Sequence, residues 1–176
     1  MKFYFTYLAL IFLFFFSQEN NAQNISDQNF EIIELRDTRS LGKDNKLKEY
    51  LHSLDPVLRQ NAIYALANIS DSNTVSDIDF LFAGPFKDYP TKDDIKAAAF
   101  MLGQIDCDAS RSMLSTILNN RSDYEKEMLE SGVYVIDAIG KIGNIKNLDE
   151  LFLRDDLIYS ANEQIRSASV MAVARF

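Results

Sequence analysis

The sequence has few of the residues that build disulfide, zinc and tight-turn structures. It contains one Cys, one His and no Trp among 176 residues, together with 6 Gly and 3 Pro. One Cys excludes a disulfide framework, and one Cys with one His excludes a multi-His/Cys zinc site. Few Gly and Pro argue against an all-β sandwich, which needs many tight turns. These shortages favour a helical protein, and we expect neither a metal nor a cofactor.

Basic residues are outnumbered by acidic ones. The chain has 18 Lys and Arg against 26 Asp and Glu, which gives a net charge of −8. A protein that binds the phosphate backbone needs a cluster of Lys and Arg, so we expect no nucleic-acid partner. Hydrophobic residues make up 47% of the chain. This fraction can fill a core and excludes disorder over the whole length.

A short apolar segment opens the chain. Lys2 precedes residues 3–16, which carry no charge and are too few to cross a hydrocarbon core of about 30 Å as a helix. Small Ala22 offers a cleavage position. We predict a signal peptide over residues 1–22, a short linker over 23–27 and export to the periplasm or the cell exterior. The mature protein is then expected to have no membrane contact; an uncleaved anchor is the alternative.

One helical spacing of apolar residues, i, i+3, i+4 and i+7, occurs four times at intervals of 34–37 residues. The four quartets are Ala62, Ala65, Leu66, Ile69; Ala98, Met101, Leu102, Ile105; Val135, Ala138, Ile139, Ile142; and Ser169, Ala172, Val173, Phe176. Shorter apolar segments lie between the quartets. The pattern predicts helix–turn–helix units that stack, because one unit cannot bury its apolar face alone.

The repeats and their capping residues predict where the helices begin and end. The predicted helices lie near residues 28–38, 45–52, 56–69, 75–83, 92–105, 109–119, 123–142, 145–153 and 162–176. Asp55-Pro56 and Thr91-Lys-Asp-Asp94 are typical helix starts. Leu66 and Leu102 are expected to be buried at equivalent places, and Gly140 to permit close helix packing.

The segment Asp55-Pro56-Val57-Leu58-Arg59, followed by its apolar quartet, resembles the HEAT repeat in its short bacterial form. Over residues 28–176 the resemblance implies an all-α, right-handed α–α solenoid. It also implies a ladder of polar contacts between Asp and Arg of neighbouring repeats, in which Asp55, Arg59 and Arg166 match the family residues. Ile95 and Gly132 stand at the Arg position in the middle copies.

A narrower resemblance concerns Ile32-Ile-Glu-Leu-Arg-Asp-Thr-Arg39, Leu47 to Leu51 and the following Asp-Pro-x-x-Arg. It is similar to the N-terminal HEAT-like region of exported Bacteroidetes-type proteins. Some of these continue into a cyclophilin-type peptidyl-prolyl isomerase domain. The 176 residues contain no cyclophilin segment, so no isomerase residue is carried over.

Residues with catalytic potential are sparse. His52 is expected to interact with the end of a helix. Cys107 lies between Asp106 and Asp108, whose charges disfavour a reactive thiolate. No nucleophile signature accompanies either residue. We therefore expect a non-catalytic protein; a HEAT-like DNA glycosylase or bilin lyase fits the charge and the residues less well.

Three aromatic residues outside the repeats are candidate partner contacts. Phe86 and Tyr89 lie between two prolines in the irregular segment 84–90, and Tyr159 precedes the last predicted helix. Their rings either fold back on the stack or anchor a partner.

The sequence thus predicts an exported HEAT-repeat scaffold that binds a protein or peptide. The alternative is the non-catalytic N-terminal region of an exported cyclophilin-type isomerase. No second helix follows the last quartet, so we expect either that the repeat domain is truncated at its C-terminus or that a partner covers its end. Part of the face holding Ala172, Val173 and Phe176 should then meet water. The sequence leaves the oligomeric state open.

Overall fold

The computed structural model describes residues 24–82, 91–119, 125–152, 155–158, 160 and 162–176. All regular elements in these ranges are helical and none is a strand, which confirms the all-α class. None of the helices in the described ranges has the length and apolar character needed to cross a membrane. The predicted signal peptide and Phe86, Tyr89 and Tyr159 lie outside the described residues.

The elements follow one another with short connections. Helix α1 covers residues 24–37 and is followed by a 3-10 turn at Lys43–Asn45. The remaining elements, in chain order, are α2 (Lys46–Tyr50), α3 (Pro56–Ile69), a 3-10 helix (Ser72–Phe82), α4 (Lys92–Gln104), α5 (Asp108–Asn119), α6 (Glu125–Ile142), α7 (Ile145–Phe152), α8 (Asp155–Ile158) and α9 (Glu163–Val173). The predicted ranges agree with these to within a few residues, apart from α8, which the sequence pattern does not predict.

Two elements differ from the prediction. Residues 24–27, predicted as a linker, are helical, because Ile25 extends the buried face of α1 toward the N-terminus from Ile32. The segment predicted as a helix over 75–83 is a 3-10 helix from Ser72 to Phe82. Asp71 favours the tighter form: its carbonyl accepts an i+3 bond from the Thr74 amide at 3.0 Å, and its side chain accepts from the Asn73 amide.

The helices pack in two rows. In the first row α3 packs on α4, α4 on α6, and α6 on α9. The 3-10 helix, α5 and α7 contact one another in the same order and form the second row. Leu66 and Leu102 are fully buried, as predicted. Each of α3, α4 and α6 is thus followed in the chain by one helix of the second row, and most residues of the first three quartets are buried.

The predicted helix starts of α3 and α4 are confirmed. The Asp55 carboxylate accepts from the Val57 amide at 2.8 Å and from the Leu58 amide at 3.2 Å, while Pro56 occupies the first helical position. At α4, Thr91 and Asp94 form a reciprocal capping box.

Glycine allows the last two helices of the first row to approach closely. A Cβ atom added at Gly140 would lie 2.7 Å from Ala172 Cα, too close for any residue but glycine. This contact confirms the expected packing role of Gly140.

The last quartet is only partly exposed. Ala172 is fully buried against α6 and Val173 is half-buried, whereas Phe176 is 46% exposed. The last quartet therefore faces α6 over most of its length. A different side of α9 faces solvent.

Candidate binding surface

Three aromatic side chains lie partly exposed on neighbouring helices of the first row. Tyr64 on α3, Phe100 on α4 and Tyr134 on α6 are 37%, 44% and 49% exposed. We call these three residues the aromatic patch. Their helices pack against each other in sequence, and side chains of α4 contact both the Tyr64 ring and the Tyr134 ring, so the three rings lie on one surface. Isolated exposed apolar residues are common, but aromatic rings grouped across three helices are a feature of interaction sites.

A ring contact joins two members of the aromatic patch, and a cation lies beside the third. The ring centroids of Tyr64 and Phe100 are 5.4 Å apart, at an edge-on angle of 66°. The Lys96 ammonium lies 5.5 Å from the ring centroid of Tyr134. The same ammonium bonds to the Asp93 carboxylate at 3.0 Å. The patch is therefore arranged before any partner binds, which lowers the entropic cost of association.

The patch combines apolar rings with polar groups. The pKa of the Tyr64 hydroxyl is raised above its ordinary value. Partial burial is the main cause, and the negative charge of Asp93 is the second. This hydroxyl therefore stays neutral at physiological pH and can donate or accept a hydrogen bond. Such a surface suits an apolar or aromatic side chain of a peptide, with hydrogen bonds at its edge.

Arg59, a predicted ladder residue, forms a buried ion pair between two repeats. Its Nε and Nη2 donate to the two carboxylate oxygens of Asp94 at 3.0 and 2.8 Å, and its Nη1 donates to the Ser53 carbonyl. The Arg59 and Asp94 side chains are 2% and 0% exposed. An arginine–carboxylate pair thus joins α3 and α4, and its acid is the capping-box residue Asp94.

The other two predicted ladder residues have different roles. The Asp55 carboxylate caps α3 by accepting from two backbone amides of its first turn. Arg166 is exposed on α9, and its Nη1 donates to the Ser160 carbonyl at 2.5 Å. Helices α4 and α6 lie between α3 and α9 in the first row. The structure therefore does not bring Arg166 together with Asp55 and Arg59 in one site.

The residues with catalytic potential make structural contacts. The His52 ring packs against the Phe80 ring at a tilt of 35°, with centroids 4.3 Å apart. The Cys107 sulfur accepts from the Ser110 amide at 3.4 Å, at the start of α5. In the part of the chain that the structure describes, no group of three His, Cys, Asp or Glu residues could hold a metal ion.

Helical periodicity does not reveal the aromatic patch, because it marks buried positions. Tyr64 and Phe100 each lie two residues after the first member of a quartet. This position is on the solvent side of the helix, where a polar residue is normal. Met171 holds this place in α9 and is 58% exposed. A recurring large apolar residue on the polar side of a repeat is the signal that could have revealed the surface.

Comparison with known proteins gives no relative: no family model, curated protein or solved structure matches this chain. The HEAT-like resemblance therefore stays a prediction from the sequence.

Proposed function

We propose that this protein is an exported, non-catalytic scaffold that holds a protein or peptide partner on the aromatic patch. In this proposal the two rows of helices form a right-handed, HEAT-like solenoid. The apolar opening segment of the sequence directs it across a membrane and is removed near Ala22.

The observation that carries the proposal is the grouping of Tyr64, Phe100 and Tyr134 on three successive helices. Buried aromatic anchors supply much of the binding energy in protein interfaces, and Tyr is enriched there. The Lys96–Asp93 pair beside Tyr134 adds polar groups that can form hydrogen bonds at the rim of a partner. The net charge of −8 favours a protein partner over a nucleic acid.

A peptide selection tests the proposal. A random peptide library is panned against the immobilised chain, and the affinity of each selected peptide is measured by fluorescence anisotropy. Phe100→Ala and Tyr134→Ala should each weaken binding by about tenfold or more, because an anchor loses most of its buried area. Circular dichroism should show unchanged helix content, since both side chains are half exposed.

Leu54→Ala is the matched control for this selection. Leu54 is 89% exposed, is apolar and lies before α3, outside the aromatic patch. Its truncation should leave the affinity within about twofold. Selected peptides that bind equally well to the Phe100 and Tyr134 variants would contradict the proposal.

A further inference from the structure

Helix α9 begins with the same polar network as α3. The cap residues Asp55 and Asn162 each accept from two backbone amides of the first helical turn. Each cap amide also donates to the hydroxyl of the serine two residues earlier, Ser53 or Ser160. In both helices the arginine four residues after the cap donates to the carbonyl of that serine. Because the residues and spacings coincide, α3 and α9 can be compared position by position.

In α3 this network continues into the next helix of the row. Arg59 forms its ion pair with Asp94, in the first turn of α4. Ile63 and Ala67 follow Arg59 at four-residue steps along the same side of α3, and they are 0% and 2% exposed. On this side of α3, one arginine thus pairs with a carboxylate in the first turn of the next helix, and the two apolar residues that follow it are buried.

In α9 the residues at the equivalent positions are exposed. Arg166, Val170 and Ala174 correspond to Arg59, Ile63 and Ala67, and all three are exposed, Val170 by 52%. Among the described residues no carboxylate pairs with Arg166, so its Nε and Nη2 are available for a partner. We call Arg166, Val170 and Ala174 the outer stripe of α9.

We propose that the outer stripe of α9 docks a partner helix that carries a carboxylate in its first turn. The carboxylate accepts two hydrogen bonds from Arg166, as Asp94 does from Arg59. A two-bond arginine–carboxylate pair is strong and directional, and it fixes the register of the incoming helix. Small Ala174 and branched Val170 then pack against apolar residues further along that helix. This docking surface is separate from the aromatic patch and does not depend on it.

The probe that tests the inference is a peptide with the sequence of residues 90–105, acetylated and cross-linked into a helix on its solvent-facing side. Labelled peptide is titrated with the full chain and followed by fluorescence anisotropy. We expect saturable binding that Arg166→Ala weakens by about tenfold, because the peptide carboxylate loses its partner. The peptide with Asp94→Asn should lose the same factor, with no further loss in combination with Arg166→Ala.

Two control variants show whether the loss of affinity is specific to the outer stripe. Arg36→Ala removes an exposed arginine from α1 and should leave the peptide affinity unchanged. Phe100→Ala in the chain should also leave the affinity for this peptide unchanged, because Phe100 belongs to the aromatic patch. The two variants therefore distinguish binding at the outer stripe from binding at the aromatic patch.

Three outcomes would overturn the inference. The first is the absence of saturable binding up to about 1 mM peptide. The second is equal affinity of the chain and its Arg166→Ala variant. The third is self-association in sedimentation that Arg166→Ala abolishes, because a second copy of the chain would then be the natural occupant of the stripe.

Discussion

Asp94 serves two helices with one carboxylate. Within α4 it accepts from the Thr91 amide and hydroxyl at 2.9 and 2.8 Å. Across the repeat boundary it accepts two bonds from Arg59. Since both charges are almost fully buried, the pair depends on this complete set of hydrogen bonds. The same residue thus fixes where α4 begins and how α4 sits on α3.

Loss of this carboxylate should destabilise the fold strongly. Asp94→Asn leaves Arg59 as a buried charge without the carboxylate that neutralises it, and we expect the free energy of unfolding to fall by about 3–5 kcal/mol. Urea unfolding followed by circular dichroism gives the value. Asp93→Asn is the matched control, because the neighbouring Asp93 side chain is 50% exposed and should change stability by less than about 0.5 kcal/mol. Equal losses in the two variants would show that the ion pair does not hold α3 and α4 together.

At the scale of the element, α9 buries fewer residues than α3, the helix at the other end of the first row: three in α9 against seven in α3. Helices α4 and α6 each pack between two neighbours of the row, whereas α9 packs on α6 and on short α7 and α8. The α6–α9 contact relies on Gly140, and the Arg175 guanidinium adds an ion pair with Asp137 at 2.6 Å. Burial opposes ionisation of Asp137, but its bonds to Arg175 and Lys141 outweigh this effect and lower its pKa.

Hydrogen exchange should reveal the weaker support of α9. Amides of residues 163–173 should exchange faster than those of residues 60–69, because local opening of α9 exposes less apolar surface. Gly140→Ala should widen this difference, since its methyl group forces α9 away from α6. Gly103→Ala is the milder comparison, with its nearest contact at 3.1 Å to the Ala138 side chain. Equal protection of the two segments, with or without the Gly140 substitution, would contradict this account.

The helical elements could be predicted from the sequence because each repeat carries its pattern locally. Quartet spacing and capping residues such as Asp55 and Thr91 fix the first-row helices within a few residues. The family resemblance implied that Arg59 contacts an acid of a neighbouring repeat, but it did not identify Asp94, because the two residues are 35 positions apart and only packing brings them together. The aromatic patch could not be predicted for a related reason. The helical period identifies the buried face of each helix, whereas the exposure of the opposite face depends on how the neighbouring helices pack.

At the scale of the molecule, the row of first helices offers two separate surfaces. The aromatic patch lies along α3, α4 and α6, and the outer stripe lies on α9. Stacked helices hold the rings of successive repeats at fixed separations, which suits an extended partner that crosses several helices. The central claim of our account is that this patch is a binding site in the native setting.

Site-specific photo-crosslinking in the producing cells tests that claim most directly. Benzoylphenylalanine replaces Phe100 in the aromatic patch or, as the control, Leu54, which is apolar and more exposed but lies outside the patch. We expect irradiation to give a discrete, heavier adduct with a protein partner from position 100 and none from position 54. Absence of an adduct at position 100, or the same adducts from both positions, would contradict the assignment of the aromatic patch as the binding site.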